Sequence, residues 1–547
     1  MNYREILMDY LRQRDRGWIL SLFAVVCLIY LPFLGNPLVF DDLAFFTTAA
    51  LESYLTSTFQ FGPRWLPFAS FSWTNEIFSN VIPHFFRLGN VLLHAINAIL
   101  LFYLLRHLIA AVISELKNSK VIVWGAWYGA IFFAASPVAV YATGYLIQRT
   151  ILMATLFALI MQLAYVRGLL TGQKKWLLLS VAAYFLAAFS KEHGVMAIAV
   201  LAAITVLLRD KTRVNTRSLW LVWGAFITVG LLVILSSNGV IGKPYEPMAA
   251  EIFTQQKITA STPLLHLLSV LTQAGLYFKY LMLWLLPNPA WMSVDMRETF
   301  VPSLTAWQGW LGATSFVAYG VVAIRLLLRP RWQGLVGLAL LYPWLQFIVE
   351  FSTIRVQEPF VLYRSYLWMP GLALFIPLLL AKFPGPRTIL ALSCIALLLV
   401  PLSWNRLWIF GDNYRLWNDA AVIMPNEQVA GADRVLYNRG YAAMAKSKWN
   451  EAVEDMQKVV ALSPQLAPVH KGLGSAYFNA GRYQEAIAQY DEAISLDQDD
   501  ADVYFGKGLA LKRLHEDEKA MQQMIKACEL KNLMACMIVR GLKGKSQ

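Results

Sequence analysis

The chain has 547 residues, of which 58% are hydrophobic, 14% aromatic and only 15% charged. This composition excludes an ordinary soluble globular protein and is typical of a protein that crosses a membrane many times. The formal net charge of +13 does not indicate a nucleic-acid-binding protein, because the basic residues cluster in short loops between apolar segments. Loops with that bias are usually held on the cytoplasmic side of a membrane.

The first apolar segment covers residues 17–34. It is too long for the core of a cleavable signal peptide and lacks a small-residue cleavage site, so we expect a membrane anchor. Residues 1–16 carry Arg4, Arg12, Arg14 and Arg16 and should be cytoplasmic. The anchor then delivers an adjacent acidic pair, Asp41-Asp42, to the outer side of the membrane. Residues 43–82 mix aromatic residues with Gly and Pro, which predicts amphipathic helices on the outer surface.

Ten further apolar segments bring the predicted number of spans to eleven. They cover residues 83–108, 121–140, 150–166, 176–190, 194–208, 219–236, 304–328, 335–348, 366–382 and 388–402. The segment 264–286 is also apolar, but counting it as a span would put the arginines at 325, 329 and 331 on the wrong side. We therefore predict an interfacial or re-entrant element there, while the sequence leaves open whether it crosses.

The chain changes character after Trp404, where charged residues become frequent and a period of 34 residues begins. Small residues at this period let two helices of a hairpin approach, and a larger side chain fills the gap, as in tetratricopeptide repeats. We predict a membrane domain at 1–403 and a soluble helical-repeat solenoid at 404–547, with repeats near 433–466, 467–500 and 501–534. The residues that recur are Gly440, Gly474 and Gly508; Ala452, Ala486 and Ala520; and Met456, Tyr490 and Met524.

Two of the four cysteines, Cys528 and Cys536, lie in the repeat tail. On one straight helix they would be about 12 Å apart, which is too far for a disulfide. A bridge requires a helix break near Lys531-Asn532, and the sequence leaves this open.

Several short motifs lie in or beside the predicted spans. They are Phe40-Asp41-Asp42, Arg64-Trp65-Leu66-Pro67, Asn90-Val91-Leu92-Leu93-His94-Ala95, Ser136-Pro137-Val138, Gln148-Arg149, Ser190-Lys191-Glu192-His193-Gly194, and Tyr363-Arg364-Ser365-Tyr366 followed by Pro370-Gly371. Together with the repeat tail, they resemble the transmembrane and tetratricopeptide-repeat-containing O-mannosyltransferases, a branch of the GT-C glycosyltransferases. The resemblance runs nearly end to end. This chain departs from the family at Tyr363, where the family has Glu, and its short tail is closer to a bacterial relative.

The resemblance implies an all-α integral membrane enzyme of the GT-C type. It would move one sugar, with inversion, from a polyprenyl-phosphate donor to an acceptor hydroxyl, such as a protein Ser or Thr, on the outer face. The implied location is the inner membrane, with a cytoplasmic N-terminus and a periplasmic repeat domain; in a eukaryote it would be the endoplasmic reticulum, with lumenal repeats. The implied partners are membrane lipid, the lipid-linked sugar and a protein acceptor held by the repeats, and no nucleic acid.

Such a transfer needs a base for the acceptor hydroxyl, and we assign this role to Asp41, with Asp42 orienting it or the acceptor. The leaving phosphate needs cations. Arg149, Lys191 and Arg364 lie at predicted outer ends of spans, and Lys279 and Arg355 are further candidates. The alternative for each is an interfacial anchor whose charge reaches the headgroups.

Further contacts with substrate are predicted for Arg64, His84, Glu192 and His193, whereas Asn90 and His94 are expected to hold helices together. No cofactor or metal is expected with a monophosphate-linked donor, although the acidic pair could hold Mg²⁺ if the donor were a diphosphate. Two other functions stay open. The sugar could go to a glycan or lipid, or the chain could be a non-enzymatic membrane scaffold with a protein-binding tail. The sequence names neither the sugar, the acceptor nor the oligomeric state.

Overall fold

The structure, a computed structural model, describes residues 15–46, 48–56, 62–78, 82–113, 120–236, 241–244, 261–356 and 358–543. These residues are mostly helical and contain no β-strand, which confirms the predicted all-α fold. The predicted cytoplasmic N-terminus with Arg4, Arg12 and Arg14 lies outside the described residues.

The chain divides into two compact units. The first consists of residues 1–294 and 300–412, and the second of residues 295–299 and 413–547. The sequence predicts the boundary at residue 404, but the last long helix of the first unit continues to Ile409, so the second unit begins further along the chain. Within the second unit, Asp295 Oδ2 accepts hydrogen bonds from Arg434 Nε and Nη2 at 3.0 and 2.9 Å.

The helices of the first unit are numbered here in chain order. They are α1 (Asp15–Tyr30), α2 (Asp41–Phe45), α3 (Thr48–Thr56), α4 (Trp65–Phe78), α5 (Pro83–Val112), α6 (Lys120–Ala134), α7 (Val140–Thr143), α8 (Arg149–Thr171), α9 (Lys174–Ser190), α10 (Ala197–Leu207), α11 (Thr216–Ser236), α12 (Thr262–Leu285), α13 (Trp307–Leu327), α14 (Trp332–Phe347), α15 (Ser365–Trp368), α16 (Phe375–Lys382) and α17 (Pro386–Ile409). Short 3₁₀ turns extend or join several of them, among them Leu146–Gln148, Glu192–Met196, Ile348–Ser352, Leu362–Arg364 and Met369–Leu374.

Eight helical segments of the described ranges are long and apolar enough to cross a membrane, or nine if the bent pair Lys120–Ala134 and Pro137–Thr143 is one span. This is fewer than the eleven that the sequence predicts. The difference lies in the predicted spans 176–190 and 194–208, which correspond to α9 and to the segment Glu192–Leu207. Both are shorter than 18 residues. At about 1.5 Å per residue such helices fall short of a hydrocarbon core of about 30 Å.

The segment predicted to be interfacial or re-entrant forms α12, a single helix of 24 residues. It lacks the break that a re-entrant element needs. Gln273 Nε2 on α12 donates to Pro359 O at 2.7 Å, and Ser269 Oγ accepts the N–H of Arg355 at 3.1 Å. These bonds attach α12 to the irregular stretch that leads to Arg364.

Close packing fixes the segment that carries Arg364. Gly371 lies in the turn Met369–Leu374, and a methyl group there would overlap Cβ and Cγ of Tyr342 on α14. Tyr342 is itself held by Gln162 on α8, whose Nε2 donates to the hydroxyl at 2.9 Å. Glycine is therefore required at this crossing.

The second unit is built from helix pairs. Its helices are α18 (Asn413–Ile423), α19 (Ala432–Ala445), α20 (Trp449–Leu462), α21 (Ala467–Asn479), α22 (Tyr483–Leu496), α23 (Ala501–Arg513), α24 (Asp517–Glu529) and α25 (Leu533–Lys543). The pairs α19–α20, α21–α22 and α23–α24 fall within the three predicted repeats. A methyl group at Gly474 would lie 2.8 Å from the ring of Tyr490, which is the close approach that the 34-residue period predicts.

Cys528 and Cys536 form a disulfide, with their Cα atoms 4.6 Å apart. Helix α24 ends at Glu529 and α25 begins at Leu533, with Lys531 between them at a positive φ of 70°. The helix break that the bridge requires is therefore present.

We expect Gly371→Ala to lower the free energy of unfolding by about 1–3 kcal/mol, because the added methyl group forces α14 and the turn Met369–Leu374 apart. Gly224→Ala is the matched control, since nothing lies within 4 Å of the position its methyl group would take. Thermal unfolding of the detergent-purified protein measures both. Equal melting temperatures for the two variants would contradict this account of the crossing.

Candidate active site

A cavity of about 200 Å³ lies in the first unit, where segments far apart in the sequence meet. Six of the thirteen predicted site residues are in its wall. The wall is formed by Asp41, Arg64, Phe68, Ile147, Gln148, Thr150, Lys191, Glu192, His193, Glu358, Tyr363 and Arg364.

Asp41 enters the cavity from a sharp turn. Phe40 has a positive φ of 54°, which is uncommon for a residue other than glycine, and α2 starts directly after it. The N–H of Asp41 donates to the hydroxyl of Tyr145 at 3.1 Å. Burial, together with the carboxylates of Asp41 and Asp42, raises the pKa of Tyr145 well above its usual value, so this hydroxyl stays protonated.

Asp42 is fully buried and is not part of the cavity wall. Its carboxylate oxygens accept the N–H of Ile147 at 2.9 Å and the N–H of Val39 at 3.4 Å. Burial raises the pKa of Asp42 to about 7, while the backbone donors and the nearby Arg87 act in the opposite direction. Asp42 therefore ties the turn that carries Asp41 to the turn Leu146–Gln148 that precedes α8, and Asp42 is not in the cavity wall.

Sequence reasoning missed the role of Arg87, on α5, in holding the same turn. Its guanidinium donates to the carbonyl oxygen of Leu34 at 3.1 Å, to that of Pro37 at 2.6 Å and to that of Asn36. An arginine inside an apolar segment was the only sign of this role.

Lys191 is buried in the cavity wall between α9 and the turn Glu192–Met196. Its Nζ donates to Gln148 Oε1 at 3.2 Å and to Thr150 Oγ1 at 3.3 Å, and it lies 5.0 Å from the centre of the Tyr363 ring. Burial lowers the pKa of Lys191 to about 7, and the neighbouring charge of Arg64 acts in the same direction. The lysine can therefore gain or lose its charge near neutral pH.

Arg64 and Glu192 form an ion pair in the same wall. Arg64 Nε donates to Glu192 Oε2 at 2.9 Å, and Nη2 donates to Oε1. Arg64 has a positive φ of 69°, and its own N–H donates to Phe189 O at 2.7 Å. These bonds fix Arg64 against the end of α9.

Arg364 and His193 share a carboxylate that sequence reasoning missed, Glu350. Glu350 is fully buried; its Oε2 lies 3.0 Å from Arg364 Nη1 and 2.9 Å from Arg355 Nε, and its Oε1 lies 2.8 Å from His193 Nε2. The sequence places Glu350 two residues beyond a predicted span, where an acidic residue is also typical of a solvated loop. Glu350 is thus a carboxylate that pairs with Arg364 from outside the cavity wall.

Arg149 is not in the cavity wall, although Gln148 beside it is. Its guanidinium donates to Asn90 Oδ1 at 2.9 Å and to Phe86 O at 2.7 Å, and it lies 3.8 Å from the centre of the Phe71 ring. Asn90 Nδ2 in turn donates to Leu146 O at 3.1 Å. Both side chains therefore join α5 to α8, and phosphate binding by Arg149 gains no support from this position.

The other predicted residues also lie away from the cavity. Lys279 lies 5.2 Å from the centre of the Phe360 ring, Arg355 pairs with Glu350, and His84 is exposed beside Gly35. Their roles in binding stay predictions. His94 is buried, with Nε2 donating to Ala134 O at 3.0 Å and Nδ1 accepting from the Tyr366 hydroxyl at 2.6 Å, which fits the expected structural role.

Six wall residues, among them Glu358 and Tyr363, were not among the predicted site residues. Within the described ranges, no group of three or more His, Cys, Asp and Glu side chains is arranged to hold a metal ion. The expectation that no metal is needed stays a prediction.

A family model described as a TPR repeat matches residues 474–514, so the tail contains tetratricopeptide repeats. A curated relative, stress-induced-phosphoprotein 1 of Caenorhabditis elegans, is 31% identical over 65 residues, which are 12% of this chain and 20% of the relative. The chain thus spans about one fifth of the length of the relative it matches.

Solved structures that resemble this chain include the TPR domain of Arabidopsis OM64, at 23% identity over 21% of this chain and 95% of that one, with a TM-score of 0.20. Another is the first TPR of Spaghetti (RPAP3) bound to an HSP90 peptide, at 23% identity over 21% of this chain and 91% of that one, with a TM-score of 0.20. A third is the type III secretion chaperone SycD of Yersinia enterocolitica in complex with a peptide of the translocator YopD, at 20% identity over 22% of this chain and 100% of that one, with a TM-score of 0.21. Tetratricopeptide repeats generally bind protein partners.

Proposed function

We propose that the protein is an integral membrane glycosyltransferase that moves one sugar from a polyprenyl-phosphate donor to an acceptor hydroxyl on the outer face of the membrane. The favoured acceptor is a Ser or Thr of a protein. The observation that carries the proposal is the wall of the cavity, where Asp41 lies together with Arg64, Lys191 and Arg364. A carboxylate beside several cations is what an attack by a hydroxyl and the departure of a phosphate require.

In the proposed reaction, Asp41 takes the proton of the acceptor hydroxyl as its oxygen attacks the anomeric carbon from the side opposite the phosphate. The new glycosidic bond forms while the bond from the anomeric carbon to the phosphate oxygen breaks, and the configuration inverts. The electron pair of the broken bond leaves with the lipid phosphate, and Asp41 ends protonated. Cations that already face the phosphate stabilise the charge that develops on its oxygen.

The three cations differ in how far their charge is already neutralised. Arg64 is paired with Glu192, and Arg364 shares Glu350 with Arg355. Lys191 donates to the neutral oxygens of Gln148 and Thr150, so these bonds orient it without cancelling its charge. We assign the main phosphate contact to Lys191.

The tail supports an outer location and a protein acceptor. Disulfides persist in oxidising compartments such as the periplasm and the endoplasmic reticulum, and Cys528 is bridged to Cys536. Tetratricopeptide repeats on that side would hold an extended protein segment for modification. Transfer to a glycan or lipid would leave the tail as a docking site for another subunit.

We expect Asp41→Asn to lower transfer by about 10²–10⁴-fold while the protein stays folded, because the amide keeps the shape of the side chain but cannot accept the proton. Intact mass of exported and surface proteins from cells with the wild type or the variant measures this as the loss of a sugar-sized increment. Asp210→Asn is the control, since this carboxylate is largely exposed and outside the cavity wall. If cells that contain the wild-type protein and cells that lack it show the same protein masses, the proposal of a protein acceptor fails. If Asp41→Asn transfers the sugar as fully as the wild type, Asp41 is not the base.

Donor binding should weaken as the pH rises above 7, because Lys191 then loses its proton in the empty site and must regain it to pair with phosphate. A polyprenyl phosphate methyl ester is a suitable probe, since a phosphodiester keeps one negative charge across this range. We expect its Kd to be about 25-fold higher at pH 8.5 than at pH 6.5.

Lys191→Arg should remove this pH dependence, because arginine stays charged. The control is Lys175→Arg, which should leave the pH dependence unchanged because Lys175 is exposed and outside the cavity wall. Binding of the probe that is independent of pH in the wild type would contradict the role assigned to Lys191.

A further inference from the structure

The buried carboxylate of Glu350 joins three basic side chains that come from three separate stretches of chain. His193 lies in the turn Glu192–Met196, Arg355 in the irregular stretch after Glu350, and Arg364 in the turn Leu362–Arg364. Two of the three, His193 and Arg364, are in the cavity wall, while Glu350 itself is not. Glu350 thus connects two parts of the cavity wall from a position outside the cavity.

Two arginines share the single carboxylate of Glu350. Arg355 and Arg364 both approach the same oxygen, Oε2, at 2.9 and 3.0 Å. Arg364, which is in the cavity wall, is therefore oriented by Glu350.

The second oxygen fixes His193. A carboxylate accepts, so His193 Nε2 carries the hydrogen that bridges the 2.8 Å to Glu350 Oε1. The ring and the backbone turn that carries it are thereby held against the stretch that leads to Arg364. Movement of Glu350 would shift both walls together.

We infer that Glu350 is a positioning residue, which sets the place and the effective charge of Arg364 and so the affinity of the cavity for the phosphate of the donor. This inference rests on the proposed function. Glu350 makes no contact with the cavity and acts only through Arg364 and His193. The alternative is that Glu350 only stabilises the fold, and the test must distinguish this role from the positioning of Arg364.

Glu350→Gln alone removes a buried carboxylate that pairs with two buried arginines, and this variant can fail to fold. Glu350→Gln combined with Arg355→Gln avoids this, because it removes one charge of each sign and keeps the net charge of the cluster. Glu350→Asp is a second variant, which keeps the carboxylate but withdraws it from Arg364. Melting temperature establishes that each variant is folded, and the Kd of the polyprenyl phosphate methyl ester measures the phosphate site.

We expect the double variant to bind the probe about tenfold more weakly than Arg355→Gln, its matched parent. Glu350→Asp should bind the probe about tenfold more weakly than the wild type. Adding Arg364→Gln to the double variant should cause no further loss, since Glu350 acts through Arg364. If a folded Glu350 variant has the same Kd as its matched parent, the inference is overturned. It is also overturned if Arg364→Gln weakens binding as much in the double variant as it does when Glu350 is present.

The wild type separates this inference from the proposed function. If the wild type neither binds the probe nor transfers a sugar, the proposed function fails. If the wild type does both and the folded Glu350 variants bind the probe equally well, only the positioning role fails, and Glu350 is a structural residue.

Discussion

The carboxylate of Asp42 holds the candidate site together, because it attaches an otherwise isolated turn to the helices around it. The turn that carries Asp41 has no regular secondary structure on its N-terminal side, so its backbone groups need partners from elsewhere. Asp42 supplies an acceptor for the N–H of Val39 and of Ile147, and Arg87 supplies donors for three carbonyl groups of residues 34–37. These bonds hold the turn at whose end Asp41 begins the short helix α2.

A second constraint follows from the burial of charge. Charged groups removed from water need opposite charges or several hydrogen bonds, and those partners also determine how much charge is left for a ligand. Glu192 neutralises Arg64, Glu350 neutralises part of the charge of Arg364 and Arg355, and neutral oxygens orient Lys191. The cations of the cavity wall therefore differ in how far their charge is neutralised.

Much of the fold and part of the site could be predicted from the sequence. The 34-residue period located the three helix pairs, because close helix packing repeats at that spacing, and hydropathy located the long apolar helices. The sequence predicts more spans than the described residues have helices long enough to cross, and the difference lies on either side of Lys191, since composition does not report how long a helix continues. Six predicted site residues within the motifs line the cavity, whereas Asp42 and Arg149 of the same motifs do not.

Orientation and long-range partners could not be read from the sequence. Gln148 and Arg149 are neighbours, yet one faces the cavity and the other the interface of α5 and α8, because successive residues around a helix start point in different directions. Glu350 went unnoticed for a related reason. Its three partners are 5, 14 and 157 residues away, and no local pattern reports such pairings.

The assignment of residues 295–299 to the second unit bears on how the protein can be cut into parts. The repeat tail is assembled from two stretches of chain, so a fragment that starts at residue 413 would lack Asp295, the acceptor of two hydrogen bonds from Arg434. A deletion of the tail would, conversely, leave Asp295 and Arg297, both buried in the intact protein, in new surroundings. Truncation is thus a poor tool for separating the roles of the two units, and exchange of the tail for that of another protein would have to include the loop as well.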